Sequence, residues 1–227
     1  MQKSLYLRHA YLNQHKMANA EILNQFGIIP FDTATLTGVL NDYKSPKDKR
    51  AALNQAEFLI RLKRGLFVVA PKLQNKPLSK ELIANHLYGP SYVSLQTALS
   101  FYGLIPERVH TVSSMTIKRS RNFSTPLGDF DYIGTSKAYF VIGVRQEIVN
   151  HEYAYLVASP EKAMCDMIVQ TARLKLQSVK AMQVYLEEDM RIDLSAIDHY
   201  DVEIIRECIA TSKKKRELRL LYKLLQQ

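Results

Sequence analysis

Apolar positions in residues 11–70 recur first with helical spacing and then in the short runs typical of strands. Gly27 follows the first helical stretch and favours a left-handed C-cap, and Ser45 with Pro46 favours the start of a later helix. A Lys-Arg-Gly turn separates two β-favouring runs and predicts a hairpin. The predicted elements are helices over Tyr11–Phe26 and Thr33–Leu40, a helix starting after Ser45, and strands over Phe58–Leu62 and Leu66–Val69.

The helix that starts after Ser45 has two chemically different sides. Its packing side is predicted to carry Ala52, Leu53 and Ala56, and Lys49 lies at the flank, where its stem can cover the core. A basic helix side followed by a basic hairpin tip is the charge distribution of a winged helix-turn-helix, in which the helix reads bases and the hairpin contacts phosphates. The predicted DNA-binding residues are Lys47, Arg50 and Asn54 on the helix and Arg61, Lys63 and Arg64 on the hairpin.

The rest of the chain mixes helical and strand patterns and predicts a second domain. Its predicted elements are helices over Leu78–Tyr88 and Val93–Tyr102, strands over Val109–Lys118, Phe130–Ile133, Tyr139–Val144 and Tyr153–Ala158, and a helix capped by Ser159. The predicted fold class is α+β. Residues 1–72 are predicted to form a winged helix-turn-helix, and residues 73–227 are predicted to form a small, mainly antiparallel sheet with packing helices and a helical tail from about residue 178.

The formal net charge of +9 is concentrated in residues 1–76, which hold twelve Lys and Arg against five Asp and Glu. This asymmetry indicates a polyanion partner for that segment, and double-stranded DNA is the partner we expect. A second basic loop contains Lys118, Arg119 and Arg121. The loop is interpreted first as a solvated surface and second as a further polyanion contact.

Cys165 and Cys208 are the only cysteines, and each is predicted to be a buried, reduced thiol with no second thiol nearby. The N-terminus lacks the apolar run of a signal peptide, and no stretch approaches the ~20 apolar residues of a spanning helix. The expected location is therefore the cytoplasm, without a membrane partner. Six histidines lack metal-ligand spacing and no nucleotide-binding motif is present, so neither a metal nor a cofactor is predicted.

Three stretches of the chain closely resemble the transcriptional-regulator antitoxins of the AbiEi family. They are RLKRGLFVVAP at Arg61–Pro71, ANHLYGPSYVSLQTALSFYGLIPE at Ala84–Glu107 and ASPEKAMCDMI at Ala158–Ile168. The resemblance implies an N-terminal winged helix-turn-helix and a C-terminal antitoxin domain, encoded beside a nucleotidyltransferase-like toxin. It also implies autorepression and a type IV system, in which the antitoxin opposes the toxin's effect without requiring direct contact with it.

Two alternative functions are compatible with the same sequence. One is a winged-helix regulator whose second domain senses a ligand, with no toxin involved, since periodicity does not distinguish it from an antitoxin. The other is a metal-dependent nuclease that uses Asp129, Asp131 and either Glu147 or Glu152 around the sheet. Alternating Asp residues on a strand are usually a solvated face and no other catalytic set is present, so no enzymatic activity is predicted.

Overall fold

The computed structural model describes residues 21–74, 76–107, 109–196 and 199–226. Within these, the chain divides into two compact units, the first formed by residues up to 83 with 125–127 and the second by residues 84–124 with those from 128 onward. The protein is of mixed α and β structure. Most of the predicted helix Tyr11–Phe26 lies outside the described residues; residues 21–24 are helical, and Gly27 has a φ of +49°.

The first unit contains short helices and a three-stranded antiparallel sheet. Its elements are β1 (Phe31–Asp32), α1 (Thr33–Val39), α2 (Pro46–Gln55), β2 (Leu59–Lys63), β3 (Leu66–Val69) and α3 (Pro71–Gln74). The strand order is β1-β3-β2, so that β1 and β2 flank β3. The Asp32 carboxylate caps α1 by accepting from Thr35 N at 2.8 Å, which satisfies an amide that the first turn leaves unpaired.

One apolar core connects the helices and strands of this unit. Leu23, Leu36 and Leu53 are each at most 1% exposed and pack in the same cluster as strand residues Phe67 and Val69. Each helix therefore contributes an apolar side chain to the sheet, and this burial is the main stabilising contribution for a unit of this size. The core fixes the orientation of α2 about its axis, since Leu53 is the buried residue of that helix.

The second unit is built on a six-stranded sheet with helices. Its strands are β4 (Ser91–Val93), β5 (Val112–Thr116), β6 (Arg121–Thr125), β7 (Gly128–Gly134), β8 (Val144–Val149) and β9 (Tyr153–Ala158). Its helices are α4 (Lys80–Leu87), α5 (Leu95–Phe101), α6 (Lys137–Phe140), α7 (Pro160–Gln170), α8 (Val179–Val184), α9 (Val202–Thr211) and α10 (Lys215–Leu224). The first residues of α4, up to Ile83, belong to the first unit. A π-helical turn at Tyr185–Asp189 extends α8, and a 3₁₀ turn follows at Leu194–Ala196.

The sheet is mixed, which corrects the predicted mainly antiparallel arrangement. Its order is β6-β7-β5-β4-β9-β8, and the pairs β5–β7 and β4–β9 run parallel. The chain reverses twice between β5 and β7, because β6 lies between them in sequence but at the edge of the sheet in space. Strand periodicity reports which face is buried, and it carries no information about such a crossover.

Two local predictions in this unit are wrong, and strand β4 and most of strand β8 lie outside the predicted strands. The segment Tyr139–Val144 was predicted as a strand, but residues up to Phe140 form α6, because the Ser136 hydroxyl caps that helix by accepting from Tyr139 N at 3.3 Å. Gly143, with a φ of +60°, then turns the chain into β8. The connection between the predicted strands Val109–Lys118 and Phe130–Ile133, for which residues 120–128 favour a turn, instead contains strand β6, which pairs with β7 at the sheet edge.

Helix α7 is the central packing element of the second unit. All residues from Pro160 to Ile168 are buried, and α5, α9 and α10 pack against the helix. Its start agrees with the predicted cap, because the Ser159 hydroxyl accepts from Lys162 N at 3.2 Å. Among the residues that the structure describes, no helix has both the length and the apolar composition needed to cross a bilayer.

Candidate nucleic-acid interface

Helix α2 places its three predicted base-contacting residues along one side. Lys47 and Asn54 are exposed and Arg50 is half-buried, and their spacing of three and four residues aligns them on the helix surface. The Ser45 hydroxyl accepts from Asp48 N at 3.4 Å and defines the first turn. The side chains available to a groove are therefore two cations and one amide.

The packing side of α2 is narrower than predicted. Leu53 is buried, but Ala52 and Ala56 are exposed, so the prediction for these two alanines is wrong. Small alanine side chains contribute little to the apolar moment, and one leucine is enough to anchor this helix to the core. Lys49 is half-buried and its Nζ lies 4.4 Å from the centroid of the Tyr43 ring, a cation–π contact that holds this lysine apart from the predicted reading residues.

The hairpin tip is fixed to the start of α1. Thr33 N donates to Gly65 O at 3.1 Å, and Gly65 has a φ of +82°, which favours glycine at this turn position. The strand register shifts between Arg61 and Lys63, so a bulge lies immediately before the turn. Arg61 and Arg64 are exposed and Lys63 is half-buried, so the three predicted phosphate contacts all lie at this end of the hairpin.

A cation neutralises the acidic residue that follows α2. Lys72 Nζ lies 3.3 Å from Glu57 Oε2 and donates to Ala56 O at 3.0 Å, which also satisfies a carbonyl at the helix end. The pair is largely exposed and contributes little to stability. Its electrostatic effect matters more, because a paired Glu57 repels a nearby polyanion less than a free carboxylate would.

The second basic segment is packed on aromatic rings, and it is a loop only at Lys118 and Arg119, because Arg121 begins strand β6. The Lys118 ammonium donates to Gly89 O and lies 5.1 Å from the Tyr88 ring centroid, and the Arg121 guanidinium lies 4.9 Å from the Phe123 ring centroid. Tyr88 OH donates to Arg119 O at 3.3 Å. All three basic residues remain exposed, but the loop backbone and two of the cations have defined positions.

The second unit contains a buried polar cluster that was not predicted from the sequence. Lys162 Nζ lies 3.1 Å from Asp166 Oδ1, and Asp166 Oδ2 accepts from Tyr92 OH at 3.0 Å and from Ser94 Oγ at 2.6 Å. Lys162 also donates to Tyr139 O at 3.0 Å, and the Lys162 and Asp166 side chains are fully buried. Burial, together with the neighbouring Asp166 charge, raises the pKa of Tyr92 well above its ordinary value. The Lys–Asp spacing of four residues was the available signal, but such pairs usually lie on exposed helix faces.

The two cysteines lie together, which corrects the prediction that neither has a second thiol nearby. The Cys165 and Cys208 thiols share a hydrogen bond between α7 and α9, and Lys162 Nζ is 4.0 Å from Cys208 Sγ. Burial raises the pKa of Cys165, whereas the hydrogen bond from Cys165 and the Lys162 charge lower the pKa of Cys208. Both are free, buried thiols, as predicted.

The carboxylates of the nuclease alternative lie far apart. Asp129 and Asp131 are on β7, whereas Glu147 is on β8 and Glu152 is in the turn that follows β8. Strands β7 and β8 are four steps apart in the sheet, which is roughly 19 Å at about 4.8 Å per step. Within the described ranges, no three His, Cys, Asp or Glu side chains form a group that could hold a metal ion.

Comparisons with protein-family models and with curated proteins give no match to this chain. DNA binding is therefore inferred from the placement of the residues themselves. The strongest such placement is in the first unit, where a helix with two cations and an amide on one side is followed by a hairpin with three cations near its tip.

Proposed function

We propose that this protein is a DNA-binding antitoxin that represses its own operon and that its N-terminal part is a winged helix-turn-helix. One observation carries the DNA-binding proposal: Lys47, Arg50 and Asn54 share one side of α2, and the hairpin that follows exposes Arg61 on β2 and Arg64 in its turn. A polyanion is the partner that this charge distribution fits best.

The topology of the first unit supports the proposed winged helix-turn-helix. Helices α1 and α2 are joined by a turn, α2 leads into the β2–β3 hairpin, and β1 pairs with β3 to complete the sheet. In this motif the second helix of the pair enters the major groove, which assigns recognition to α2 and gives the hairpin the role of the wing.

Each proposed contact follows from side-chain chemistry. Arg50 has the fork of donors that matches guanine O6 and N7, and Asn54 can both accept from and donate to an adenine edge. Lys47 adds a further cation on the same side of α2. The hairpin cations Arg61, Lys63 and Arg64 would contact phosphates, which provide affinity and register but little sequence preference.

The antitoxin part of the proposal is supported by the AbiEi-like stretch at Ala84–Glu107. The opposed toxin would be a nucleotidyltransferase-like enzyme, and neutralisation would not require a stable complex. Co-expression with a neighbouring gene of that class would restore growth, and Arg50→Ala would retain this rescue because Arg50 acts on DNA. Failure of the wild-type chain to restore growth would contradict the antitoxin assignment while leaving DNA binding intact.

The DNA-binding proposal is tested by three single substitutions. Arg50→Ala should weaken binding to the operator by about 1–3 kcal/mol, because a base contact is lost, and should leave binding to a scrambled duplex almost unchanged. Lys63→Ala should lower the salt dependence, the slope of log K against log salt, by about one unit and keep the sequence preference. Lys80→Ala removes an exposed cation of the same unit outside the proposed interface, and it should change neither quantity.

Two results would contradict these residue roles. Equal weakening of operator and scrambled DNA by Arg50→Ala would show that Arg50 contacts phosphates rather than bases. A salt dependence that responds to Lys80→Ala as strongly as to Lys63→Ala would show that the hairpin has no special role.

A further inference from the structure

A cleft of about 700 Å³ in the second unit brings together residues from four separate segments of the chain. Its cationic lining residues are Lys118, Arg119, Lys213 and Lys214, and no carboxylate belongs to its described lining. Such a concentration of like charge is unfavourable in an empty cleft and favourable once an anion neutralises it. These four cations are distinct from the proposed DNA-binding residues.

Two of the four cationic groups, both lysine ammonium groups, are held in place by the fold. Lys214 donates to Ile168 O at 3.0 Å and to Thr171 O, the carbonyls at the C-terminal end of α7. Lys118 donates to Gly89 O, as described for the basic loop. An ammonium has three donors, so each of these lysines keeps at least one for a ligand while its charge is already positioned.

Arg119 and Lys213 supply the more adjustable charges. Both are exposed, and they belong to segments more than ninety positions apart in the sequence, at 119 and at 213. Arg119 offers the planar fork of donors that suits a phosphate, and Lys213 offers a point charge. The cleft therefore combines fixed and movable cations, which suits a ligand with more than one anionic group.

Hydroxyl groups and apolar side chains complete the lining. The Ser136 hydroxyl accepts from Tyr139 N, and the Ser212 hydroxyl accepts from Lys214 N at 3.0 Å, which leaves each hydroxyl proton as a donor towards a ligand. Ile117 and Val169 also line the cleft and provide an apolar surface. Donors for phosphates beside an apolar surface for a base are the chemistry that a nucleotide needs.

We propose that this cleft binds a small phosphate-bearing anion of the nucleotide class. The volume lies within the roughly 300–1,000 Å³ of small-molecule sites, which suits a single nucleotide. The cations converge on one cleft, and this convergence favours a compact ligand over an extended strand. Such a site would make the second unit responsive to a nucleotide independently of DNA binding by the first.

The test is a fluorescence-anisotropy titration of the full chain with ATP carrying an N-methylanthraniloyl label on its ribose. The wild-type protein should bind the probe saturably, and unlabelled ATP should displace it. The double substitution Arg119→Ser with Lys213→Ser should weaken binding by about tenfold or more, because each lost charge-assisted hydrogen bond lowers affinity by about an order of magnitude. Inorganic triphosphate should compete and adenosine should not, since phosphates supply most of the recognition.

A matched control separates the cleft from general surface charge. Arg219→Ser with Lys223→Ser removes two exposed cations from α10, which lie outside the cleft lining, and it should leave probe binding unchanged. Arg50→Ala should also leave it unchanged, which distinguishes this site from the DNA-binding proposal. Absence of saturable binding, equal loss in both double variants, or much stronger displacement by a short oligonucleotide than by ATP would overturn the proposal.

Discussion

Replacement of Lys162 by methionine would break the only ion pair in the described structure that is fully buried at both ends. Methionine keeps most of the lysine stem, so the packing volume changes little, but the ammonium is lost. Asp166 would then retain hydrogen bonds from Tyr92 and Ser94 and lose its counter-charge in a fully buried position. Removal of one partner from a buried pair costs about 3–5 kcal/mol, because the remaining charge is uncompensated.

A double-mutant cycle distinguishes this cause from general damage to the core. The double substitution Lys162→Met with Asp166→Asn removes both charges and keeps a side chain that can accept from Tyr92 and Ser94. It should therefore be more stable than Lys162→Met alone by at least about 1 kcal/mol, the size expected for coupled neighbours. Lys180→Met, at an exposed position in α8, should change stability by no more than about 0.5 kcal/mol.

The assay is urea unfolding followed by far-ultraviolet circular dichroism, because the chain contains no tryptophan. The quantity compared is the free energy of unfolding of the transition that reports the second unit. A loss below about 1 kcal/mol for Lys162→Met would refute the reasoning, since a charge left unpaired in the core cannot cost so little. Simple additivity of the two substitutions would refute the coupling between Lys162 and Asp166.

The remaining predictions concern the same unit. Stability should fall as pH rises above about 10, because the pKa of Tyr92 is raised in the folded state while the unfolded chain ionises at the ordinary value of 10.0, so the unfolded state binds fewer protons. Tyr92→Phe should reduce this decline by up to about 1.4 kcal/mol per pH unit, measured from urea midpoints at pH 9 and 11; an identical decline in both proteins would contradict the assignment. Gly143→Ala should destabilise the protein by clearly more than Gly103→Ala. Both positions have positive φ, but a Cβ at Gly143 would lie 2.7 Å from Ile204 and 2.9 Å from Lys162, whereas a Cβ at Gly103 meets nothing within 4 Å. Equal decreases in melting temperature for the two variants would show that backbone strain alone accounts for the effect of Gly143→Ala.

The sequence predicted helix α2 and the β2–β3 hairpin well because their signals are local. Ser45 and Pro46 mark the start of α2, and a Lys-Arg-Gly turn between two apolar runs marks the hairpin, where Gly65 adopts the expected positive φ. A helix cap and a turn each depend on a few adjacent residues, so residue order alone can specify them. The two units meet after Ile83, within helix α4, where the amino-acid composition does not change and so does not mark a boundary.

The second unit was predicted less completely because its organisation depends on long-range contacts. The parallel pairing of β5 with β7 and the approach of Cys165 to Cys208 join segments that are distant in sequence. The Lys162–Asp166 pair was missed for a related reason: its burial depends on helices and strands packed around α7, which no single segment records. The cationic cleft likewise exists only where four segments meet.

The central claim is sequence-specific DNA binding by the first unit, and one titration tests it most directly. Fluorescence anisotropy would compare the wild-type chain on its own upstream DNA and on a scrambled duplex, at 50 and 200 mM salt. If Arg61, Lys63 and Arg64 each neutralise a phosphate, the slope of log K against log salt should be about −2.7 or steeper. The binding constant should then fall at least roughly fortyfold between these two salt concentrations. Preference for the upstream duplex together with that salt dependence is the result that we predict. Absence of binding to either duplex at low salt would contradict the claim and would show that α2 and the hairpin form a solvated basic surface.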